Sequence, residues 1–580
     1  MRYHFLLLAL TTCLSAQETM IREVFDPKTQ THVEVLALFS EPSRGGFMPV
    51  RVKIANNLMT PRSIRLGFKS SSNYDNRIQT RSSFSISAAA GKTVTLDIMV
   101  PLCSSHGSHG DMSSLTADLG GSLGSASNTI QTKTAPGSPA VLLSEALFTP
   151  NASILDAAAT KKSGHRYGSG SFGGKFDPKQ LPSDWLAYSG YDSVLMTDTD
   201  WSNVPAGARN AILSWVNLGG QLVIYSPNTP SPATIGIPAD PGFGKCEILT
   251  ISRDLKLSPE STIQLVSKGN PVQIRTDAVR SNFNSNWPLQ NHFGSMAFHY
   301  GVFIAVLIVF GILVGPINLF VFAKSGQRHR LFITTPIISL LASLVLIALI
   351  IFQDGFGGNG MRRVLMEVRP DAGQNAAFLH QEQVSRTGIL MGSRFTVDPA
   401  CFLFPVPIAK SRWSRFTDDY NTRGSFNLQP GGGKMEASGD WWQSRSEHGH
   451  ALTAVVSTRG RIERTAVPNT FVSTFDFPIE TLYFLDEKSQ WHRSEAIATG
   501  KPFTLTPVDP TMAEPALAKE ANAFAQRNRD ILNRAKNRPG HFVALTGQAP
   551  GIDTHPGIHW KETRTVITGP VLGKTETLKN

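Results

Sequence analysis

Two stretches of the chain have no polar face. Gly301 to Ala323 reads GVFIAVLIVFGILVGPINLFVFA and Leu331 to Phe352 reads LFITTPIISLLASLVLIALIIF, and neither contains a charged residue. A helix rises about 1.5 Å per residue, so each run is long enough for the roughly 30 Å hydrocarbon core of a bilayer. A buried helix of a soluble protein rarely stays apolar on every side for that length. The pattern therefore predicts a transmembrane hairpin over residues 299–353. Pro316, Asn318 and Pro336 interrupt it mildly, and a neighbouring helix can satisfy the backbone groups they free.

Elsewhere the rhythm is that of strands and short helices. THVEVLALFS, FMPVRVKIANN, SIRLGFKS, SSFSIS and KTVTLDIMV alternate apolar and polar residues between Gly, Pro, Asn and Ser turns, which predicts an antiparallel sandwich over about residues 30 to 105. The Ser/Gly/Thr-rich stretch up to Gly137 reads as loop and linker with one further strand. From Ala140 strands alternate with helices: AVLLSEAL, then NASILDAAATKK with Asn151 as its cap, then DSVLMTD, PAGARNAILSWVNLGG and QLVIYSP. That order predicts parallel crossovers and a wound α/β sheet. Beyond the hairpin, RRVLMEVRP, SRFTVDPACFLFPVP, KMEASGDWW, ALTAVVSTRGRIERT, ETLYFLDE and FTLTPV alternate again. PALAKEANAFAQRNRDILNRAKN has the spacing of one amphipathic helix.

The expected fold class is thus a multidomain α+β membrane protein. Its parts are a signal peptide (1–16), a β-sandwich with linker (17–137), a wound α/β domain (138–298), the hairpin (299–353) and a β-rich domain with one late helix (354–580).

Charge orients the hairpin. Lys324, Arg328 and Arg330 crowd the loop 324–330 between the two runs, and short basic loops stay cytoplasmic, so the chain on both sides is expected outside the cytoplasm. The start of the chain agrees. Arg2, an apolar core from Phe5 to Leu10 and small residues at Ser15 and Ala16 read as a secretory signal, with Cys13 as a less fitting lipidation site. The expected location is the bacterial inner membrane, with both large parts on its periplasmic face. The mean hydropathy of −0.09 is too low for a many-helix transporter. A net charge of +11 would suit nucleic acid in a cytosolic protein, but here it is scattered over parts expected to be exported. The partners expected are membrane lipid and other envelope proteins, not nucleic acid. After signal removal three cysteines remain, Cys103, Cys246 and Cys401, too few and too distant for a disulfide framework or zinc site. No cofactor is expected.

LPSDWLAYSGYDSVLMTD followed by ARNAILSWVNLGGQLVIYSP resembles the class I glutamine amidotransferase-like fold. More closely, the chain resembles uncharacterised bacterial membrane proteins that set such a domain between a β-sandwich and a transmembrane hairpin; GFGKCEILTI, GPINLFVF and FVALTGQAP are further pieces of that pattern. The resemblance implies a cysteine on a tight strand-to-helix elbow. This chain has QLVIYSPNTPSPATIG there, without G-x-C-x-G or G-x-S-x-G. Ser226 is the nearest nucleophile type, and Pro227 after it has no N–H for an oxyanion hole. No catalytic residue is assigned, and the domain is expected to be non-catalytic.

Four residues are candidates for ligand binding. Asp198 and Asp200 follow a strand end, where α/β sheets bind ligands, although both could equally cap the next helix. Trp441 and Trp442, near Glu447, His448 and His450, would suit stacking on a sugar or peptide, since in a strand one of the two must face away from the core. His106, His109 and Asp111 lie in a Gly/Ser loop that reads as solvated rather than metal-binding. The functional expectation is a membrane-anchored interaction or assembly protein. The alternatives are an accessory subunit of an export or envelope-building machine, packing through Gly311 and Gly315, and a hydrolase working at the α/β strand ends.

Overall fold

The computed structural model describes residues 18–40, 43, 45–72, 79–103, 113–131, 139–163, 171–228, 230–238, 241–267, 283, 287–294, 300–370, 375–389, 391–392, 394–406, 408, 424–428, 434–439 and 441–573. The expected signal segment with Cys13 and the His106–Asp111 cluster lie outside the described residues.

Two bare apolar helices stand apart from the rest. They are long enough to cross a membrane, at Gly301–Phe322 and Arg328–Phe352, and only 6% and 0% of their most apolar stretches are buried by the remainder of the chain. A core helix of a soluble protein would be covered. The first begins as an α-helix, Tyr300–Ile312, and continues as a π-helix, Leu313–Phe322, with Pro316 inside it. Proline lacks the N–H and crowds the carbonyl four residues back, and the wider winding relieves that conflict. Asn318 in this turn is fully buried against the second helix: its Nδ2 donates to Thr335 Oγ1 (2.8 Å) and its Oδ1 accepts from Thr334 Oγ1 (2.6 Å). This polar clasp joins the helices. A Cβ on Gly311 or Gly315 would meet nothing within 4 Å, so those glycines do not.

The sandwich consists of a four-stranded sheet (Glu18–Asp26, Thr31–Ala37, Phe47–Asn56, Lys92–Pro101) over a seven-stranded one, sharing an apolar core that includes Val35, Val52, Leu66 and Leu119. Two strands, Ser113–Gly121 and Ala126–Gln131, occupy the stretch expected to be mostly linker. The larger sheet also takes three strands from beyond the hairpin. Gly424–Leu428 pairs in parallel with Gln79–Ala88, and Met435–Gly439 and Phe395–Val397 follow it outward. The expected boundary between residues 17–137 and 354–580 is therefore crossed by one sheet, a long-range pairing that no local pattern announces.

The α/β part has five parallel strands in the order Gly173–Phe176, Val141–Ser144, Ser193–Thr197, Gln221–Ser226, Lys245–Thr250. Its first helix, Glu145–Ser163, starts directly after the strand, so Asn151 lies inside it rather than capping it. The buried Asn151 amide instead donates to Leu147 O and Leu255 O and accepts from Leu257 N, tying down a distant loop.

The third unit is a twelve-stranded sheet. Its spine runs Cys401–Val406, Glu447–Ser457, Ala376–Arg386, Gly358–Arg369, Ile558–Leu572, His541–Thr546, Ile479–Leu485, Trp491–Ile497, Thr506–Pro507. The expected single late helix is two, Pro510–Asn522 and Gln526–Ala535, broken around the buried Phe524. At the break the Ala525 N–H donates to both oxygens of Glu382 (3.0 Å each), a partner a continuous helix would not have left room for.

The units share one apolar cluster. Phe39 bridges to Phe176, Phe47 meets Phe402 at 6.0 Å between ring centroids, and the Phe47 N–H donates to Ser189 Oγ.

Candidate functional site

Open α/β sheets bind ligands beyond the carboxyl ends of their strands, where the strand order reverses. Thr197 ends one strand and caps the next helix. Its hydroxyl accepts from the Asp200 N–H, and the Asp200 carboxylate accepts from the Thr197 N–H. Asp200 is thus committed to a capping box. Asp198, one position into that helix, turns to the neighbouring strand, where Ser226 Oγ donates to its Oδ2 at 2.6 Å. Ser226 is fully buried and also accepts from the Asn228 N–H. Among the described residues no histidine hydrogen-bonds to Ser226 or Asp198, and the Ser226 hydroxyl proton is given to the Asp198 carboxylate instead. Cys246, in the adjacent strand, has its thiol pushed up to about 12 by burial and then by the Glu247 charge. A thiol so placed carries almost no thiolate at neutral pH.

Trp441 and Trp442 sit in a turn, not a strand, so the expected alternation does not apply and both are buried. Trp442 Nε1 donates to Gly392 O at 3.0 Å. The Phe395 ring stacks on His450 (4.7 Å) and meets both indoles edge-on (5.6 and 5.0 Å), and Trp442 packs on His448 (4.7 Å). These faces are covered by each other and offer no stacking platform. Burial pushes His448 down from the usual 6.5 to about 4, although the Gln443 and Trp441 carbonyls oppose it, and burial followed by the nearby His448 lowers His450 well below its usual value.

This cluster sets a pH dependence. Between pH 6.5 and about 4 the unfolded chain binds a proton at His448 that the folded chain refuses, so stability is complete above the window and falls as the pH falls through it. His448 alone contributes a loss of about 3 kcal/mol across it. His380, lowered by burial and by Arg527, acts in the same direction, while Glu382, raised by burial, opposes it at the acid end. Melting temperature measured across this window should fall with acid, and His448→Gln should flatten part of that slope. A flat wild-type profile would contradict the neutral buried ring.

Sequence reasoning passed over the strand Ala376–Arg386. Ten of its eleven positions are buried, yet its middle reads His380-Gln381-Glu382-Gln383. The signal was available: four consecutive polar residues between apolar ones. His380 and Glu382 face the late helices, meeting Arg527 and Asn528 respectively, whereas Gln381 and Gln383 hydrogen-bond each other, and the Ile552 backbone and His450 complete that side. Every one of these contacts is buried, which makes the cluster structural.

An open cleft of about 380 Å³ lies elsewhere on the same sheet, between the turn at 465–469 and the hairpin of Ile479–Leu485 with Trp491–Ile497. Phe471 and Phe484 form its floor, 6.1 Å apart, and Arg464 stands over Phe484 at 5.8 Å. His492 Nε2 lies 3.1 Å from Asp486 Oδ2 on the other side. Burial works against the Asp486 charge, but the Gln490 and Lys488 N–H groups and the His492 ring outweigh it and hold the carboxyl below its usual range. The described residues contain no cluster of three or more His, Cys, Asp or Glu side chains suited to a metal ion.

No protein-family profile matches this chain, and no curated protein matches it. Among solved structures, a cycloisomaltooligosaccharide glucanotransferase from Paenibacillus sp. aligns at 12% identity over 35% of this chain and 29% of its own, with a TM-score of 0.16. A calcium-binding mutant of beta-glucuronidase 2 from Bacteroides uniformis aligns at 8% identity over 37% and 27%, with a TM-score of 0.15. Both alignments thus span less than a third of the other chain, and superpositions this poor transfer neither fold nor activity.

Proposed function

We propose that this chain is a membrane-anchored interaction or assembly protein of the bacterial inner membrane, with its large parts outside the cytoplasm and a non-catalytic glutamine amidotransferase-like domain. The observation that carries this reading is the bare helical hairpin closed by a loop whose Lys324, Arg328 and Arg330 are all exposed. Inverting the hairpin would drag these three cations through hydrocarbon, at roughly 2.5–3.5 kcal/mol each. The fully buried Ser226, hydrogen-bonded to the half-buried Asp198, supports the non-catalytic part and weighs against a hydrolase at the strand ends.

Topology is the direct test. Alkaline phosphatase fused after Asn359 is expected to be active, and fused within 325–328 inactive; the reverse pattern overturns the reading. Ser226→Ala is expected to leave cellular function intact. A second reading, an accessory subunit of an export or envelope-building machine, is favoured by Gly311 and Gly315, whose faces are open on the first apolar helix. Stable co-purification with other membrane helices, lost in a Gly311→Leu/Gly315→Leu variant, would select it.

A further inference from the structure

The seven-stranded sheet of the sandwich turns one face to the shared core and leaves the other bare. Along Arg62–Ser72 the side chains of Ile64, Leu66 and Phe68 enter the core, and Arg65, Gly67 and Lys69 between them lie on the outer face. Gln79–Ala88, Ser113–Gly121 and Ala126–Gln131 alternate in the same way, and no outward position of these four strands carries an apolar side chain. Register then sets two cations side by side. Lys69 is the cross-strand partner of Arg81, and both are exposed. Like charges directly opposite each other destabilise a sheet. Arg65 stands on the same face four residues before Lys69, about 13 Å along the strand.

None of these three cations has an ion-pair partner among the described residues; Arg81 donates only to Gln79 Oε1, at 3.4 Å. The acid among the outward positions of the four strands is Asp118, and it is turned the other way. It accepts from Ser127 Oγ at 2.6 Å, on the strand further from Arg81. Between the cations the floor is stripped of side chains. Gly67 sits mid-strand between Arg65 and Lys69, and Gly120 is the cross-strand partner of Arg65. A Cβ on Gly120 would meet nothing within 4 Å, and one on Gly67 would meet only Asp118, at 3.9 Å, so packing does not require either glycine. Glycine inside a strand costs conformational entropy and often marks where a ligand approaches the backbone.

The remaining outward groups are hydroxyls in cross-strand pairs, Ser71 with Ser114 at 3.1 Å and Thr116 with Thr129 at 2.9 Å. Each can both donate and accept, as a sugar hydroxyl can. A protein interface would centre on aromatic or apolar anchors, and an added strand would take a sheet edge rather than this face. Lipid tails would find no apolar side chain to meet. A flat floor of glycine and hydroxyls, with guanidinium and ammonium groups spaced along it, matches a chain of sugar rings that carries carboxylates.

We infer that this face binds an acidic polysaccharide laid across the sheet, its carboxylates on Lys69, Arg81 and Arg65 and its rings over Gly67 and Gly120. The inference rests on the reading that this part of the chain lies outside the cytoplasm, where nucleic acid is not the polyanion it meets. Biolayer interferometry on the full chain, purified in uncharged detergent, would compare polygalacturonate with dextran, poly-glutamate and duplex DNA. Polygalacturonate is expected to bind, dextran not to bind, and poly-glutamate and DNA to bind at least about tenfold more weakly. A Lys69→Gln/Arg81→Gln variant should lose about tenfold or more in affinity, and so should the wild type between about 0.1 M and about 1 M salt, where the screening length falls from about 10 Å to about 3 Å. Gly120→Leu keeps every charge and covers the floor. It should lose polygalacturonate to a similar extent while melting with the wild type. The inference is overturned if polygalacturonate does not bind, if poly-glutamate or DNA binds as tightly, or if either variant keeps wild-type affinity. The assay does not depend on which way the hairpin faces: a reversed fusion pattern would remove the exported reading and leave the measured affinity, whereas absent binding would remove this inference alone.

Discussion

Replacing Glu382 by Ala is expected to destabilise the protein by about 3–5 kcal/mol, because it strips a buried acceptor from several donors at once. The carboxylate is fully buried and accepts from Trp287 Nε1 (2.8 Å), Asn528 Nδ2 (2.7 Å) and the Ala525 N–H. Burial raises its pKa, and these donors pull in the opposite direction. Without the side chain, three donors from two separate segments, Trp287 and the stretch 525–528, are left in a dry interior. One lies just before the short helix Pro288–Phe293, which precedes the first apolar helix, and another lies at the break between the late helices. Glu382→Gln retains one acceptor oxygen but turns an NH₂ toward donors, so it should fall between wild type and Ala. Tryptophan fluorescence during thermal melting in detergent gives the order, and proteolysis near residues 522–526 should rise first in the Ala variant. An Ala variant that melts with the wild type would mean that water replaces the carboxylate.

Phe243→Ala should have an effect of similar size, about 3–5 kcal/mol, concentrated on one contact. Phe243 belongs to the α/β part but lies in the core formed by the twelve-stranded sheet and the late helices, beside Leu365, Leu517 and Val543. Its ring meets His380 at 5.5 Å and lies under Arg538 at 5.9 Å. The flanking glycines make this insertion possible. Gly242 has φ 65° with Asn217 Oδ1 only 2.6 Å from where a Cβ would be, and a Cβ on Gly244 would sit 1.9 Å from Val216 O. Losing the ring leaves a void between the two units, so melting should split into two transitions, with Phe243→Leu intermediate. His380, kept neutral by burial and by Arg527, should also begin to titrate closer to its ordinary range. A single wild-type-like transition in the Ala variant would show that the other contacts hold the units together.

The same GFG segment shows how far the sequence could be read. In the sequence GFGKCEILTI stood out only as a piece of a resemblance, and the structure makes its later part the edge strand Lys245–Thr250. The destination of Phe243 was not visible, since its neighbours come from more than a hundred residues further on. Trp441 and Trp442 gave a misleading signal for a related reason: adjacent aromatics alternate sides only within a strand, and the turn that holds them lets both point inward. At the strand ends, Asp198 and Asp200 looked equivalent. The structure separates them, one committed to capping its own helix and the other joined to Ser226 across the sheet.

The sequence alone determined what depends on local periodicity and transfer from water. That covers two apolar helices joined by a basic loop, an alternating β-sandwich, and a run of strand–helix units that forms a parallel sheet. Each follows from which side chains recur at intervals of two or of three to four residues. Tertiary structure decided which separated segments lie side by side. It placed Gly424–Leu428 beside Gln79–Ala88, broke the late helix so that Ala525 could reach Glu382, and set Arg464 over Phe484 without a carboxylate partner. Backbone donors and charged groups accept any partner of the right polarity, so the choice among distant candidates is made by packing the whole chain rather than by the residues next to them.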